Sequence, residues 1–384
     1  LKALLVIGVF QAILLVLLLV VKRNKSLSDQ ILSGYLFLSA FIILLAYIEI
    51  VNRDYGYPYP WLINLSTPFI LLVGPALWLY VKSLTEQFFR FRRLYLLLFI
   101  PFAVVLSMLL TRYYFRPDAV KIATEAVGDY KHEFTYLFIV AVIALSNLGY
   151  TVWGLMLIKN YRKKIKTYFS KTDSIELNWL RFLLISAMVC YISISILYIA
   201  DTIFSLLSYN ALQIIGYSIA SVLVLIIGFF GLKHGSIFVS APISFNMETA
   251  VLSSESSKDL NRDEEAFVHR LLGYMTSSKP HQNPDINLAK LSNDLKVAPE
   301  YLSGVLNGRL NMNFFDFINH YRIEEFKDRC KDPKSKNLTL ISLAFDCGFN
   351  SKATFNRVFK KIVGCTPSEY YNELQNSPRA TIEK

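Results

Sequence analysis

Near the C-terminus the stretch "SKATFNRVFKK" sets Lys352, Arg357, Lys360 and Lys361 beside Phe355, Val358 and Phe359, and no acid interrupts them. At helical spacing the three apolar residues share one face, so the cations are turned away from whatever that face packs on. The chemistry open to such a helix is contact with something acidic. Gly348 supplies a tight turn before it, at a position where a Cβ would be awkward. Thr366-Pro367-Ser368-Glu369 follows it as a capping box with proline at the first helical position. A basic helix face is by itself usually only solvated surface, so the elements that hold this one decide its meaning.

Those elements repeat. Leu288, Leu291 and Asp294 recur 52 positions later as Leu340, Leu343 and Asp346. Leu302, Val305 and Leu306 recur 53 positions later as Phe355, Val358 and Phe359, the second turn being one residue longer. Each unit reads as a helix, a tight turn and a second helix, the plan whose second helix can enter a major groove. Pro299 suits the first turn of the earlier second helix. A bridging helix is expected from about Phe314 to Cys330, with an apolar face of Phe315, Ile318, Tyr321, Ile323 and Phe326. It would separate two groove-reading helices on one side of a duplex, where successive major grooves lie about 34 Å apart.

At this point residues from about Asn287 to Asn372 resemble the DNA-binding region of the AraC/XylS family of bacterial transcription regulators. The resemblance is densest in "AFDCGFNSKATFNRVFKKIVGCTPSEYY", through Gly348, Phe349, Phe355, Phe359, Lys360, Gly364, Thr366, Pro367 and Tyr370; Tyr371 stands where the family commonly has Arg. The resemblance implies that bases are read from the solvent face of each second helix. On the later unit this face maps to Lys352, Ala353, Asn356 and Arg357, with Lys360 nearer phosphate. On the earlier unit it maps to Glu300, Ser303, Gly304 and Asn307. Arg can fork onto guanine O6 and N7, Asn onto adenine, and Glu can accept from cytosine N4. Gly304 offers no side chain, so the later unit is expected to dominate affinity.

The rest of the chain is of another kind. The hydrophobic fraction of 54% is concentrated before Gly235. Seven stretches there are long and apolar enough for a bilayer core, which needs roughly 20 helical residues. They run about Leu4–Val21, Ile31–Val51, Trp61–Val81, Leu94–Thr111, Tyr136–Ile158, Phe182–Leu207 and Ala211–Leu232. Lys and Arg cluster after the first, third and fifth spans, as Lys22, Arg23 and Lys25, then Lys82 and Arg90 to Arg93, then Lys159 to Lys171. Such clusters mark the cytoplasmic side, which predicts the N-terminus outside, the C-terminus in the cytoplasm, and a multi-pass protein of the inner, cytoplasmic membrane. The fold class expected is all-α: a seven-transmembrane helical bundle followed by a cytoplasmic double helix-turn-helix domain. The domains expected are 1–234 for the spans, 235–262 for a Ser-rich linker, 263–375 for the DNA-binding domain and 376–384 for a tail.

The net charge of +11 is no argument for nucleic acid, because it sits in the wrong half. Residues 1–234 carry 21 Lys and Arg against 11 Asp and Glu, and the remainder 19 against 18. The four cysteines form no CxxC pair and no ligand cluster with histidine, so neither a metal nor another cofactor is expected. HExxH, P-loop and GxSxG patterns are absent, and the chain reads as no enzyme. Intramembrane polar residues default to functional hypotheses. Glu49, Asn64 and Asp201 lie at similar depth toward the outside, where they could line a small sensing cavity. The expected partners are double-stranded promoter DNA, the lipid bilayer, an unknown signal and a second copy of the chain as a homodimer. The rival reading is a receptor or transporter whose helical tail docks a protein.

Overall fold

The computed structural model describes residues 2–23, 25–86, 89–127, 133–172, 176–204, 207, 209–234, 259–335 and 337–376. All but the last four residues of the expected linker, and nearly all of the expected tail, lie outside the described residues. The regular elements among the described residues are all helical. They group into two compact units, Leu1–Asn160 with Leu177–Pro242, and Tyr161–Glu176 with Ile243–Lys384.

In the first unit seven helical runs are long and apolar enough to cross a membrane. They contain α1 (Lys2–Val21), α2 (Leu27–Asp54), α3 (Val73–Thr85), α4 (Ile100–Leu109), α6 (Phe134–Tyr168), α7 (Asn178–Phe204) and α8 (Tyr209–His234), with a short α5 (Asp118–Val127) between the fourth and fifth. Large apolar side chains such as Phe10, Leu17, Ile196 and Val222 are left exposed, a surface that hydrocarbon solvates and water does not. α2 begins at a reciprocal capping box, Ser26 with Asp29, and Lys22 Nζ donates to that same carboxylate at 2.8 Å. The side of α1 carrying Gly8 approaches α8 closely, since a Cβ there would overlap Ser221, the close contact that small residues permit.

The third span differs from its expected limits. Trp61 lies in an isolated 3₁₀ turn, Pro60–Leu62, and the apolar run starts only at Pro68, through a 3₁₀ segment to Leu72. Asn64 takes a left-handed conformation, φ +60°, which Asn tolerates better than most residues. Asn64 and Ser66 are therefore loop residues ahead of the span, and the loop turns Ser66 onto Glu49 of α2.

The second unit contains α9 (Asp259–Ser277), α10 (Leu288–Asp294), α11 (Pro299–Gly308), α12 (Phe314–Lys331), α13 (Leu340–Asp346), α14 (Lys352–Val363) and α15 (Pro367–Asn376). The repeat is visible in its caps. Asn287 accepts from Lys290 N at 2.9 Å, and 52 residues on Thr339 accepts from Ser342 N at 3.1 Å. The turns correspond as well, with Lys296 at φ +56° and Gly348 at φ +96°.

Each repeat owns a core. α9 to α11 bury Phe267, Leu271, Leu291, Leu302 and Leu306 together. α13 to α15 surround Leu343, Phe355, Val358 and Phe359. The bridging helix serves both: Phe314, Phe317 and Ile318 enter the first core, and Phe315, Ile323 and Phe326 the second. The single apolar face expected for α12 is thus corrected to two faces, because a helix between two cores is buried on both sides.

Between the cores lies a polar joint. Arg322, 2% exposed, donates from Nε to the His281 carbonyl at 2.8 Å and from Nη2 to the Asn283 carbonyl at 2.9 Å. Its guanidinium also lies over the Phe349 ring. These bonds satisfy a buried charge that would otherwise be costly.

One stretch from between the fifth and sixth spans belongs to this unit. Tyr168 packs on the first core, and Phe169 bridges Asn287 in antiparallel fashion. Ser170 Oγ donates to the Ile286 carbonyl at 2.6 Å, and Lys171 Nζ lies 3.7 Å from the Asp285 carboxylate. Ser170 and Thr172 are fully buried.

Candidate functional site

Local sequence fixes α14 at both ends. Ser351 caps it, its side chain accepting from Thr354 N at 3.3 Å, and Gly364 ends it in the left-handed conformation that favours glycine, φ +92°. The following helix starts at the reciprocal box anticipated from Thr366 and Glu369. Thr366 N donates to the Glu369 carboxylate at 2.7 Å, and Glu369 N donates back to Thr366 Oγ1 at 3.3 Å. The Thr366 backbone N–H, and then its hydroxyl, hold Glu369 below the usual carboxylate pKa.

The buried face of α14 sets the direction of its other face. Phe355 lies 4.8 Å from the Phe326 ring centroid, and Phe359 lies 5.5 Å from that of Tyr370. With Phe355, Val358 and Phe359 inward, Lys352, Ala353, Asn356, Arg357 and Lys360 are all exposed. A face with Lys352, Asn356 and Lys360 on successive turns and Arg357 next to Asn356 can offer forked donors to guanine, a paired donor and acceptor to adenine, and charge to phosphate. Lys361 is drawn aside by Asp316, its Nζ 2.8 Å from the carboxylate.

The earlier unit presents a less basic face. Glu300, Gly304 and Asn307 are exposed and Ser303 is half-buried. Asn307 Nδ2 is spent within α11, donating to the Ser303 carbonyl at 2.8 Å. Gly304 has no side chain to present on this face.

Sequence reasoning missed one residue at this site. Glu176, with its side chain 2% exposed, lies with Oε1 3.6 Å from Nη2 of Arg357. The same carboxylate accepts from Thr172 Oγ1 at 2.6 Å and from Arg162 Nη2 at 3.0 Å. No periodicity or motif links positions 176 and 357, so nothing local could have paired them.

In the first unit the anticipated polar residues separate. A cavity of about 250 Å³ is walled by aliphatic and phenolic side chains of α2, α6, α7 and α8, together with Asn64, Arg112, Arg116 and Glu125. Glu49 is not one of the residues that line it. It accepts from Ser66 Oγ at 3.1 Å and from Gln213 Nε2 at 3.4 Å. The network continues from Gln213 to Arg53 at 2.9 Å, from Arg53 to Glu125 at 3.7 Å, and from Glu125 to Asn64 at 3.0 Å. Asp201 is not part of the wall; its carboxylate accepts from Leu207 N at 2.8 Å, just past the end of α7. No local pattern links α5, and with it Glu125, to this network.

Residues 291–373 match the helix-turn-helix domain family, in its AraC type. An uncharacterized HTH-type transcriptional regulator of Staphylococcus aureus (strain COL) is 32% identical over 90 residues, which are 23% of this chain and 12% of that relative. Uncharacterized HTH-type transcriptional regulators of strains MSSA476 and N315 match to the same extent. The chain thus spans 12% of the length of these relatives. A solved structure of a protein of unknown function from Listeria innocua is 28% identical, with 28% of this chain and 95% of that one covered; its TM-score of 0.24 carries no weight for the fold. The C-terminal part of the chain is a helix-turn-helix domain.

Proposed function

We propose that a helix-turn-helix domain joined to seven apolar helices makes this chain a membrane-embedded one-component transcription regulator. The seven helices cross the inner membrane with the N-terminus outside, and the C-terminal unit binds promoter DNA in the cytoplasm. The observation that carries this reading is the exposed face of α14, where Lys352, Asn356, Arg357 and Lys360 stand opposite a buried face of Phe355, Val358, Phe359 and Thr354.

The test is to map the chromosomal sites occupied by the full-length protein and to measure its affinity for them in a lipid nanodisc. The Arg357→Ala variant is expected to lose about 1–3 kcal/mol of binding and to relax preference at one base pair. Affinity should fall steeply with salt as counterions are released. If the intact protein enriches no sequence and instead retains a protein partner through its tail, the rival reading of a receptor or transporter takes its place.

The cavity of the first unit is our candidate for the signal site. Its walls are largely apolar and carry Asn64, the carboxylates of Glu125 and Glu133, and the cations of Arg112 and Arg116. That combination suits a compact amphipathic molecule with a polar end. Filling the space with Ile143→Trp is expected to abolish changes in promoter occupancy between growth conditions while leaving basal occupancy intact. Regulation that survives the filled cavity would remove it from signalling.

A further inference from the structure

We infer that the segment Tyr161–Glu176 and duplex DNA compete for the same face of α14, so that docking of this segment holds the helix-turn-helix unit in a weakly binding state. The inference rests on the DNA-binding reading above. Arg357 is the residue of that face best suited to fork onto a guanine. Its guanidinium instead faces a buried carboxylate, that of Glu176. A carboxylate and the O6/N7 edge of guanine use the same donors of the fork, so one guanidinium cannot serve both.

Glu176 does not stand there by chance of a loose side chain. Arg162 and Thr172 hold its two oxygens from within the segment. The segment in turn is fastened to the unit through Phe169 on Asn287, and through Ser170 on Ile286. Arg322 Nη2 also reaches Ser170 Oγ at 3.4 Å, so the residue that joins the two cores touches the segment as well.

The geometry supplies a route for control. The segment follows Asn160 and precedes Leu177 without a break in the chain, and both neighbours belong to the other unit. Because it is tethered at both ends, its docking is intramolecular and depends on its effective concentration at the α14 face. Any rearrangement of α6 against α7 that changes that concentration changes DNA affinity. By linkage, DNA binding must loosen the segment by the same factor.

The experiment uses the full-length protein in nanodiscs with a duplex carrying a mapped site. Hydrogen exchange is followed in the peptide 161–176 with and without saturating DNA, and affinity is compared between wild type and Glu176→Gln. Exchange in the peptide is expected to accelerate when DNA binds. The variant is expected to bind two- to fivefold more tightly at low salt, the range for a pair with one half-exposed partner. If DNA binds while the peptide exchanges at an unchanged or slower rate, the competition is overturned, whatever the variant does to folding. If neither protein retains any duplex, the regulator reading itself falls, and the competition with it.

Discussion

Replacing Gly348 by alanine is expected to destabilise the later helix-turn-helix unit by about 3 kcal/mol or more, and to abolish DNA binding with it. Two costs add. The residue sits at φ +96°, where an L side chain is strained by about 1 kcal/mol or more. The new methyl would also overlap the His281 carbonyl oxygen and approach Arg322 Nε to 2.9 Å, and overpacking of this kind costs about 1–3 kcal/mol. The repeat supplies the control. Lys296 holds the corresponding left-handed position in the earlier unit, with no loss of fold from its Cβ. Lys296→Ala should therefore change stability by less than about 1 kcal/mol. Hydrogen-exchange protection of α13 and α14 measures both variants. Equal protection in wild type and Gly348→Ala would show that the joint can yield, and that close packing there is not what selects glycine.

The second large effect is on acid. His281 is 3% exposed, and neither ring nitrogen has a hydrogen-bond partner among the described residues. Burial pushes its pKa down from 6.5 to about 4; Glu325 opposes the shift, while Arg322, Lys279 and Arg329 add to it. The unfolded chain takes a proton on this ring near pH 6.5, and the folded unit does so only near 4. The stability it confers is therefore complete above pH 6.5 and is lost as the pH falls toward 4, by at most about 3 kcal/mol. His281→Leu should flatten that part of the profile. Exchange protection of α12, compared between the two proteins across this interval, gives the difference. Parallel profiles would mean that the ring is hydrated in solution and titrates normally.

Both effects converge on the contact between the α9–α10 connection, α12 and the turn before α14, and this is where sequence reading stopped. Short-range features were legible because their causes are local. The capping box at Thr366, the left-handed Gly348 and the paired patterns of α10–α11 and α13–α14 each depend on residues within a few positions of one another. The apolar spans were legible for the same reason, since length and composition suffice. What could not be read depends on chain segments far apart. Arg322 meets Ser170 across 152 positions, and Gln213 reaches Glu49 across 164. The apolar residues of α12 were visible, but their division between two cores was not, because a doubly buried helix has no single stripe. The hydrogen bond from Asn307 Nδ2 to the Ser303 carbonyl was likewise not legible from residue type.

The division of α12 also constrains how this unit can change over generations. Its neighbouring residues Phe314 and Phe315 point into different cores, so the helix works as a keyed shaft. Inserting or deleting one residue near its middle would turn one core by roughly 100° against the other, since a helix advances 3.6 residues per turn. The angular phase between α11 and α14 is thus locked to the length of the helix that carries them. New specificities can arise by exchanging side chains on the outer faces, but the spacing and rotation of the two helices are inherited as one quantity.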